Sequence, residues 1–268
     1  MHRKNNEDVP SFRAGLVNQI RAIEAMMVRD MMMRYGRANI GFVWLILESL
    51  ILCSLVMILW SHIKAPFEHG IWIVNIVLTG YMPLTLWRHV SNSGPFLFRR
   101  CVPLLFHRRL SLIDSLAANA LLELAGTTTA LVVVYSTLAI SGVVKPMQDP
   151  GLCAYAWFAM FVLASGMMCL FAVLTSKSEA FERFIQPLQY IFLPISGVFF
   201  MVEWLPSYAQ EIAWYNPTVH IYEMFRAGFF GDDVITHYTP WYPMLCGSIL
   251  IVISLYFLES VRDNISLD

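Results

Sequence analysis

Two carboxylates stand inside long apolar runs. Glu48 lies in "GFVWLILESLILCSLVMILW" and Glu123 in "LIDSLAANALLELAGTTTALVVVYSTLAISGVV". A carboxylate is expensive to hold in hydrocarbon unless it faces protein or water. Each therefore lines a pore or pairs helices, or else it sits near the interface and snorkels, or is protonated. Trp44 precedes Glu48 by four residues, so the two share one helical face. That face is expected to line a pore or a subunit interface. Glu223 and Arg226 stand three apart on an expected helix, where they can pair. Such a pair either holds the helix in place or gates an exit. Ion-coupled carriers bury several ionisable groups at mid-membrane. Two carboxylates are sparse for that chemistry.

Bond-making chemistry has little footing. No lysine follows a glycine, so the phosphate loop GxxxxGK[ST] is absent, as are HExxH and GxSxG. Ser165–Gly166 in "ASGMM" has no histidine in the neighbouring apolar runs to act as its base. His2, His62, His69, His89, His107, His220 and His237 are scattered, whereas a membrane acyl- or glycosyltransferase would gather its His, Asp and Glu at one face. Cys53, Cys101, Cys153, Cys169 and Cys246 show no CxxC spacing, and most lie in apolar runs. They read as packed thiols, with neither a disulfide framework nor a metal site. No catalytic residue and no metal ligand is assigned.

The elements that position these residues belong in a membrane. The chain is 57% hydrophobic and 14% charged over 268 residues, whereas soluble domains are about 25% charged. The fold class is all-α and polytopic, a single transmembrane domain over 1–268. Six stretches can span the hydrocarbon: 41–61, 71–88, 112–144, 152–175, 185–202 and 241–259. Pro83 and Pro194 make the second and fifth prone to kinking or unwinding. Fifteen basic residues fall in the N-terminal segment, the loops after spans two and four, and the tail. Three (Lys64, Lys145, Arg226) fall on the other side. Both termini are thus expected in the cytoplasm. The polar start "MHRKNNEDVPSF" is not a cleaved signal peptide.

Three segments lie outside the spans. Residues 12–37 contain an apolar stripe at Leu16, Ile20, Ile23, Met27 and Met31, with Asn18, Arg21 and Arg29 around the other side. This predicts a helix lying in the cytoplasmic interface. Residues 93–111 alternate Phe96, Leu97, Phe98, Leu104, Leu105 and Phe106 with Arg99, Arg100, Arg108 and Arg109. The loop either docks in a groove of a soluble partner or touches anionic lipid. Residues 203–240 are aromatic-rich and proline-punctuated, and predict two short interfacial or re-entrant helices. Asn216 would cap the second, with Pro217 at its first position. Val219, Tyr222, Phe225 and Phe229 would share one face, and Gly231 would end it. Aromatics gather around spans two and five and these helices: Tyr81, Trp87, Phe199, Phe200, Trp204, Trp214, Tyr215 and Tyr222. They either stack on sugar rings or serve as interface belt and packing.

Taken in order, "RDMMMRYGRANIGFVWLILESL", the basic loop, "FLPISGVFFMVEWLP" and "NPTVHIYEMFRAGFF" resemble the membrane subunits of ABC-2-type polysaccharide exporters. They are most like the capsular polysaccharide export permeases of the KpsM type. The resemblance covers nearly the whole chain, but none of its motifs is catalytic. It implies a homodimeric pore with two copies of a separate ABC ATPase subunit, which holds the ATP and Mg; this chain carries no cofactor. The substrate implied is a lipid-linked acidic polysaccharide, exported across the bacterial inner membrane. A periplasmic co-polymerase and an outer-membrane channel would continue the path. Membrane lipid is a further partner, and nucleic acid is not.

The resemblance also implies roles. Arg99, Arg100, Pro103, Leu104, Leu105, Phe106 and Arg108 would form the ATPase-coupling helix. Trp44, Glu48, Tyr81, Trp87, Phe199 and Phe200 would line the channel. Glu203, Trp204, Trp214, Tyr215, Tyr222, Glu223 and Arg226 would form a periplasmic gate, and Arg29, Asp30, Arg34 and Arg37 a cytoplasmic entry. O-antigen and teichoic acid exporters share the architecture and are the nearest alternatives. An ion-coupled carrier, a membrane enzyme and a channel-less scaffold are alternatives of other classes.

Overall fold

A computed structural model describes residues 12–35, 40–64, 67–95 and 112–265. Most of the described residues are helical, as hydrocarbon requires of a backbone that must satisfy its own hydrogen bonds. Helix α1 covers Phe12–Tyr35 and α2 covers Ile40–Ile63. A hairpin follows, β1 Phe67–Glu68 and β2 Ile71–Trp72, with Phe67 opposite Trp72. Its two turn residues, His69 (φ 51°) and Gly70 (φ 82°), are both left-handed, which suits a two-residue hairpin loop. Then come α3 Ile73–Asn92, α4 Leu112–Ile140, α5 Pro150–Lys177 and α6 Glu179–Phe192. The last helices are α7 Ser207–Ala213, α8 Pro217–Phe230 and α9 Trp241–Ile265.

Among the described residues, four helices contain a stretch long and apolar enough to cross a membrane: Ile46–Ile63, Leu112–Ile140, Pro150–Lys177 and Trp241–Leu258. They fall on the expected first, third, fourth and sixth spans. The second, 71–88, opens with β2 and continues as α3, which includes Asn75, Thr79, Thr85 and Arg88. That helix is sheathed by protein, since α2, α4, α5 and α8 all pack on it. The fifth, 185–202, is broken. Helix α6 ends at Phe192, a 3-10 turn runs Leu193–Ile195, and Gly197 turns left-handed at φ 94°. Pro194 cannot donate a backbone hydrogen bond, so the helix stops where the sequence places its proline and glycine.

Close backbone approach joins the pieces. A Cβ on Gly80 of α3 would lie 2.5 Å from the Val198 carbonyl oxygen, so the segment after α6 rests directly on α3. Helices α5 and α9 meet at Gly166 and Gly247, where an added Cβ would come within 2.8 Å of the neighbouring backbone. Small residues at helix contacts are how apolar helices associate in lipid. Asp149 caps α5 by accepting the Leu152 N–H at 3.0 Å, with Pro150 in the first turn.

Helix α8 follows its sequence signals. Asn216 accepts the Thr218 N–H at 3.0 Å, Pro217 opens the helix, and Gly231 (φ 58°) ends it. Its burial exceeds the expected single face. Ile221, Met224 and Gly228 are buried along with Val219, Tyr222, Phe225 and Phe229. Burial along helix α1 is uneven. Leu16 and Ile20 are exposed, while Met26 and Asp30 are buried against α4. The buried cysteines Cys53, Cys153 and Cys169 are free thiols, as is Cys246. Cys101 lies outside the described residues.

Candidate functional site

Helix α2 turns two faces to different surroundings. Ser49, Cys53 and Met57 are buried at i, i+4 and i+8. The opposite side presents Val43, Leu47, Ile51, Leu55 and Ile58 outward, with Trp44 52% exposed. Glu48 is exposed on that same side. It has no hydrogen bond or ion pair among the described residues. An apolar outer face with one carboxylate is poorly suited to lipid alone. It suits a second protein surface or a wet path.

The other aromatic residues assigned to the channel are not gathered around Glu48. Phe199 stacks on Trp60 at 5.5 Å between ring centroids. Tyr81 is half-buried against the core and lines a small gap with Trp60, Val198 and Phe199. Trp87 is buried within α3, and Phe200 is half-buried beside Val202 and Val219.

At the far end of the bundle, α8 works as a clamp. Arg226 is 1% exposed. Its guanidinium donates to three carbonyls: Gly197 at 2.9 Å, Val198 at 2.7 Å and Phe200 at 2.5 Å. Glu223, also buried, accepts the Val202 N–H at 3.0 Å and the His237 N–H at 2.9 Å. The expected one-turn pair is thus replaced by two backbone grips, one each way. The reason is local: the broken segment after α6 leaves bare carbonyls and amides, and buried polar groups must be satisfied. Burial raises the Glu223 carboxyl pKa, opposed by its two backbone donors and by the Arg226 charge. Burial lowers that of Arg226, opposed by Glu223.

Around the clamp, Trp204 stacks on His69 of the hairpin at 4.6 Å. Glu203 meets His237 Nε2 at 2.9 Å in an exposed contact. Tyr222 is buried beside Arg226, while Tyr215 is exposed and its carbonyl accepts the Tyr242 hydroxyl at 2.9 Å. Trp214 packs edge-on to His220 at 4.7 Å.

Of the expected entry residues, Arg29 and Asp30 form an ion pair at 2.6 Å. Asp30 also accepts Asn119 Nδ2 of α4 at 2.9 Å, and Gln19 Nε2 donates to Asp114 at 3.0 Å. This acid therefore ties α1 to α4. The Arg34 side chain and all of Arg37 lie outside the described residues. So do Arg99, Arg100, Pro103, Leu104, Leu105, Phe106 and Arg108 of the loop expected to couple to an ATPase. No metal cluster occurs among the described residues. Sequence reasoning missed the hairpin, although a turn of two residues containing Gly70 was a usable signal. It also missed His220, which nothing in its sequence neighbourhood marks.

A multi-helix membrane protein with a helix break at Pro194–Gly197 and a clamped helix α8 is the class defined by this architecture. Residues 21–230 match the family described as ABC-2 type transporter, and the chain belongs to that family. The chain is 36% identical to the capsule polysaccharide export inner-membrane protein CtrC of Neisseria meningitidis serogroup B over 255 residues, 95% of this chain and 96% of that one. It is 32% identical to the capsule polysaccharide export inner-membrane protein BexB of Haemophilus influenzae, covering 96% and 97% of the two chains. The polysialic acid transport protein KpsM of Escherichia coli is more distant, at 21% over 91% and 95%.

Proposed function

We propose that this chain is the membrane subunit of an ABC exporter that moves lipid-linked capsular polysaccharide across the bacterial inner membrane. The 36% identity to CtrC along 95% of the chain carries this reading. Two copies form the pore. The exposed α2 face with Trp44 and Glu48 supports this, because it gives each copy a surface that apolar lipid suits poorly. A separate ATPase subunit, also in two copies, holds ATP and Mg and docks on the basic loop 93–111. Both termini face that ATPase, in keeping with the bias of basic residues. Six segments cross or enter the bilayer. A periplasmic co-polymerase and an outer-membrane channel receive the chain.

Outside, the segment 203–240 acts as the gate, and its clamp on α8 sets the gate's resting position. Deleting the chain from an encapsulated host tests the reading. Surface capsule should disappear and lipid-linked glycan should accumulate inside, with both restored by the wild-type chain. Glu48→Gln and Trp44→Ala should restore less. Undiminished surface capsule after deletion would end the proposal. A detergent pull-down should also recover a Walker-motif subunit, lost when Arg99, Arg100, Leu104 and Phe106 are all changed to alanine.

A further inference from the structure

A cleft opens at the end of the bundle where α2 and α4 finish and α3 and α5 begin. Its walls come from the hairpin, the link between α4 and α5, and the C-terminal end of α8. Its volume is about 880 Å³, within the range of roughly 300–1,000 Å³ typical of small-molecule sites. The basic-residue pattern puts this end on the periplasmic side of the membrane in the export reading above.

The lining is mixed in a particular way. Phe67 and Trp72, paired across the hairpin, supply aromatic faces. Asn75 supplies an amide whose Oδ1 is buried and has no hydrogen-bond partner among the described residues. Gln148 adds a second amide, and Lys145 and Asp233 face each other at 3.5 Å, both well exposed. Aromatic faces pack on the C–H face of a pyranose. Amides and carboxylates take up hydroxyls, and a lysine meets acidic substituents. A bare phosphate group offers acceptors only, so it leaves Asn75 Oδ1 unsatisfied. A sugar brings hydroxyl donors as well.

We propose that this outer cleft is a saccharide-binding subsite, which holds a short segment of an acidic glycan against Trp72 and Phe67 with Asn75 and Lys145 as its polar contacts. It rests on the export reading above and adds a place where the emerging chain is held. Such a site would bias a sliding polymer against slipping back between power strokes.

The test is photo-crosslinking in cells that are making capsule. Phe67 is replaced by p-benzoylphenylalanine, a conservative change at a 64% exposed position. A control carries the same group at Ile253, on the exposed side of α9. After irradiation, the purified protein is probed with antibody to the host's own capsule. A capsule-reactive adduct from position 67, absent from position 253 and lost when the ATPase subunit is inactive, is the expected result. In parallel, Trp72→Ala should lower surface capsule about three- to tenfold at an unchanged membrane level, while Trp72→Phe retains it. Adducts to lipid alone, or to protein alone, would overturn the subsite. The two readings fail separately. If deleting the chain abolishes capsule but position 67 captures no glycan, only the subsite is lost.

Discussion

Asp30 Oδ2 accepts the Asn119 Nδ2–H at 2.9 Å, joining α1 to α4 across 89 positions of sequence. Asp30 is buried, and its other oxygen takes Arg29 Nε at 2.9 Å and Nη2 at 2.6 Å. Together with the Gln19–Asp114 hydrogen bond at 3.0 Å, this polar junction sets the register of α1 on α4. Asp30→Ala would remove this charge-assisted hydrogen bond and leave Asn119 Nδ2 its bond to the Ser115 carbonyl at 3.1 Å, a loss of about 1.5 kcal/mol. Asn119→Ala should cost a similar amount. The double variant should cost clearly less than the sum. Thermal unfolding of the four proteins in detergent measures this, and full additivity would show that the two residues act independently.

The Arg226 clamp makes a sharper demand. Three carbonyls on residues 197, 198 and 200 need a planar, forked donor. Lysine keeps the charge but cannot reach all three. Arg226→Lys should therefore lose about 2 kcal/mol, or roughly 4–8 °C in melting temperature for a chain of this size. Arg226→Met leaves the carbonyls bare and Glu223 without its neighbouring cation. It should be the more damaging of the two, with the protein failing to accumulate in membranes. Equal melting temperatures for Arg226→Lys and wild type would rule out the clamp.

How much of this was readable beforehand divides along physical lines. The limits of α8 were readable, because Asn216, Pro217 and Gly231 act on the backbone beside them. The break in the expected fifth span was readable for the same reason, from Pro194. The targets of Glu223 and Arg226 were not. Spacing of three residues indicates which side chains lie near each other, but the groups they bind lie 14 to 29 positions away. The inward face of α1 was not readable, because an apolar stripe on an interfacial helix does not say which of its residues meet protein. For a chain in lipid, Leu16 and Ile20 can stay exposed and still be out of water, while the polar Asp30 seeks protein. Composition therefore indicated the membrane and the helices, and it was silent on which face of each helix meets which neighbour.

The two faces of α2 can be told apart by thiol chemistry. In a chain freed of its five native cysteines, a cysteine at position 48 should react with a membrane-impermeant maleimide, or form a disulfide with its counterpart in a second copy. A cysteine restored at position 53, which is fully buried, should do neither. Position 55, exposed and apolar, tests for lipid. If it reacts as position 48 does, the whole face is wet. If only 48 reacts, the wet path is narrow and centred on the carboxylate. Equal silence at 48 and 53 would remove Glu48 from any pore.

His220 gives the segment 203–240 a defined response to acid. Its Nδ1 accepts the Thr239 N–H at 3.0 Å, so that nitrogen carries no proton. Its Nε2 then donates to the Trp214 carbonyl at 2.8 Å. The neutral ring thus ties the end of α7 to the segment entering α9, with the Trp214 and Tyr242 rings packed edge-on to it. Protonation would set two N–H groups against each other at Nδ1. Burial lowers the pKa below the usual histidine value, opposed by the contact with the Trp214 carbonyl. The folded state then holds fewer protons than the unfolded one. The stability contributed by this junction is fully present above about pH 6.5 and is lost as pH falls through the lowered folded pKa. Glu223 slopes the other way, because its raised pKa favours the folded state at low pH. The two are separated by comparison with His220→Asn, which keeps a neutral acceptor near the Nδ1 position. Between pH 7.5 and 5, the melting temperature of the wild type should fall more steeply than that of His220→Asn, by several degrees. Parallel curves would mean that His220 stays neutral throughout, or that its junction adds nothing to the fold.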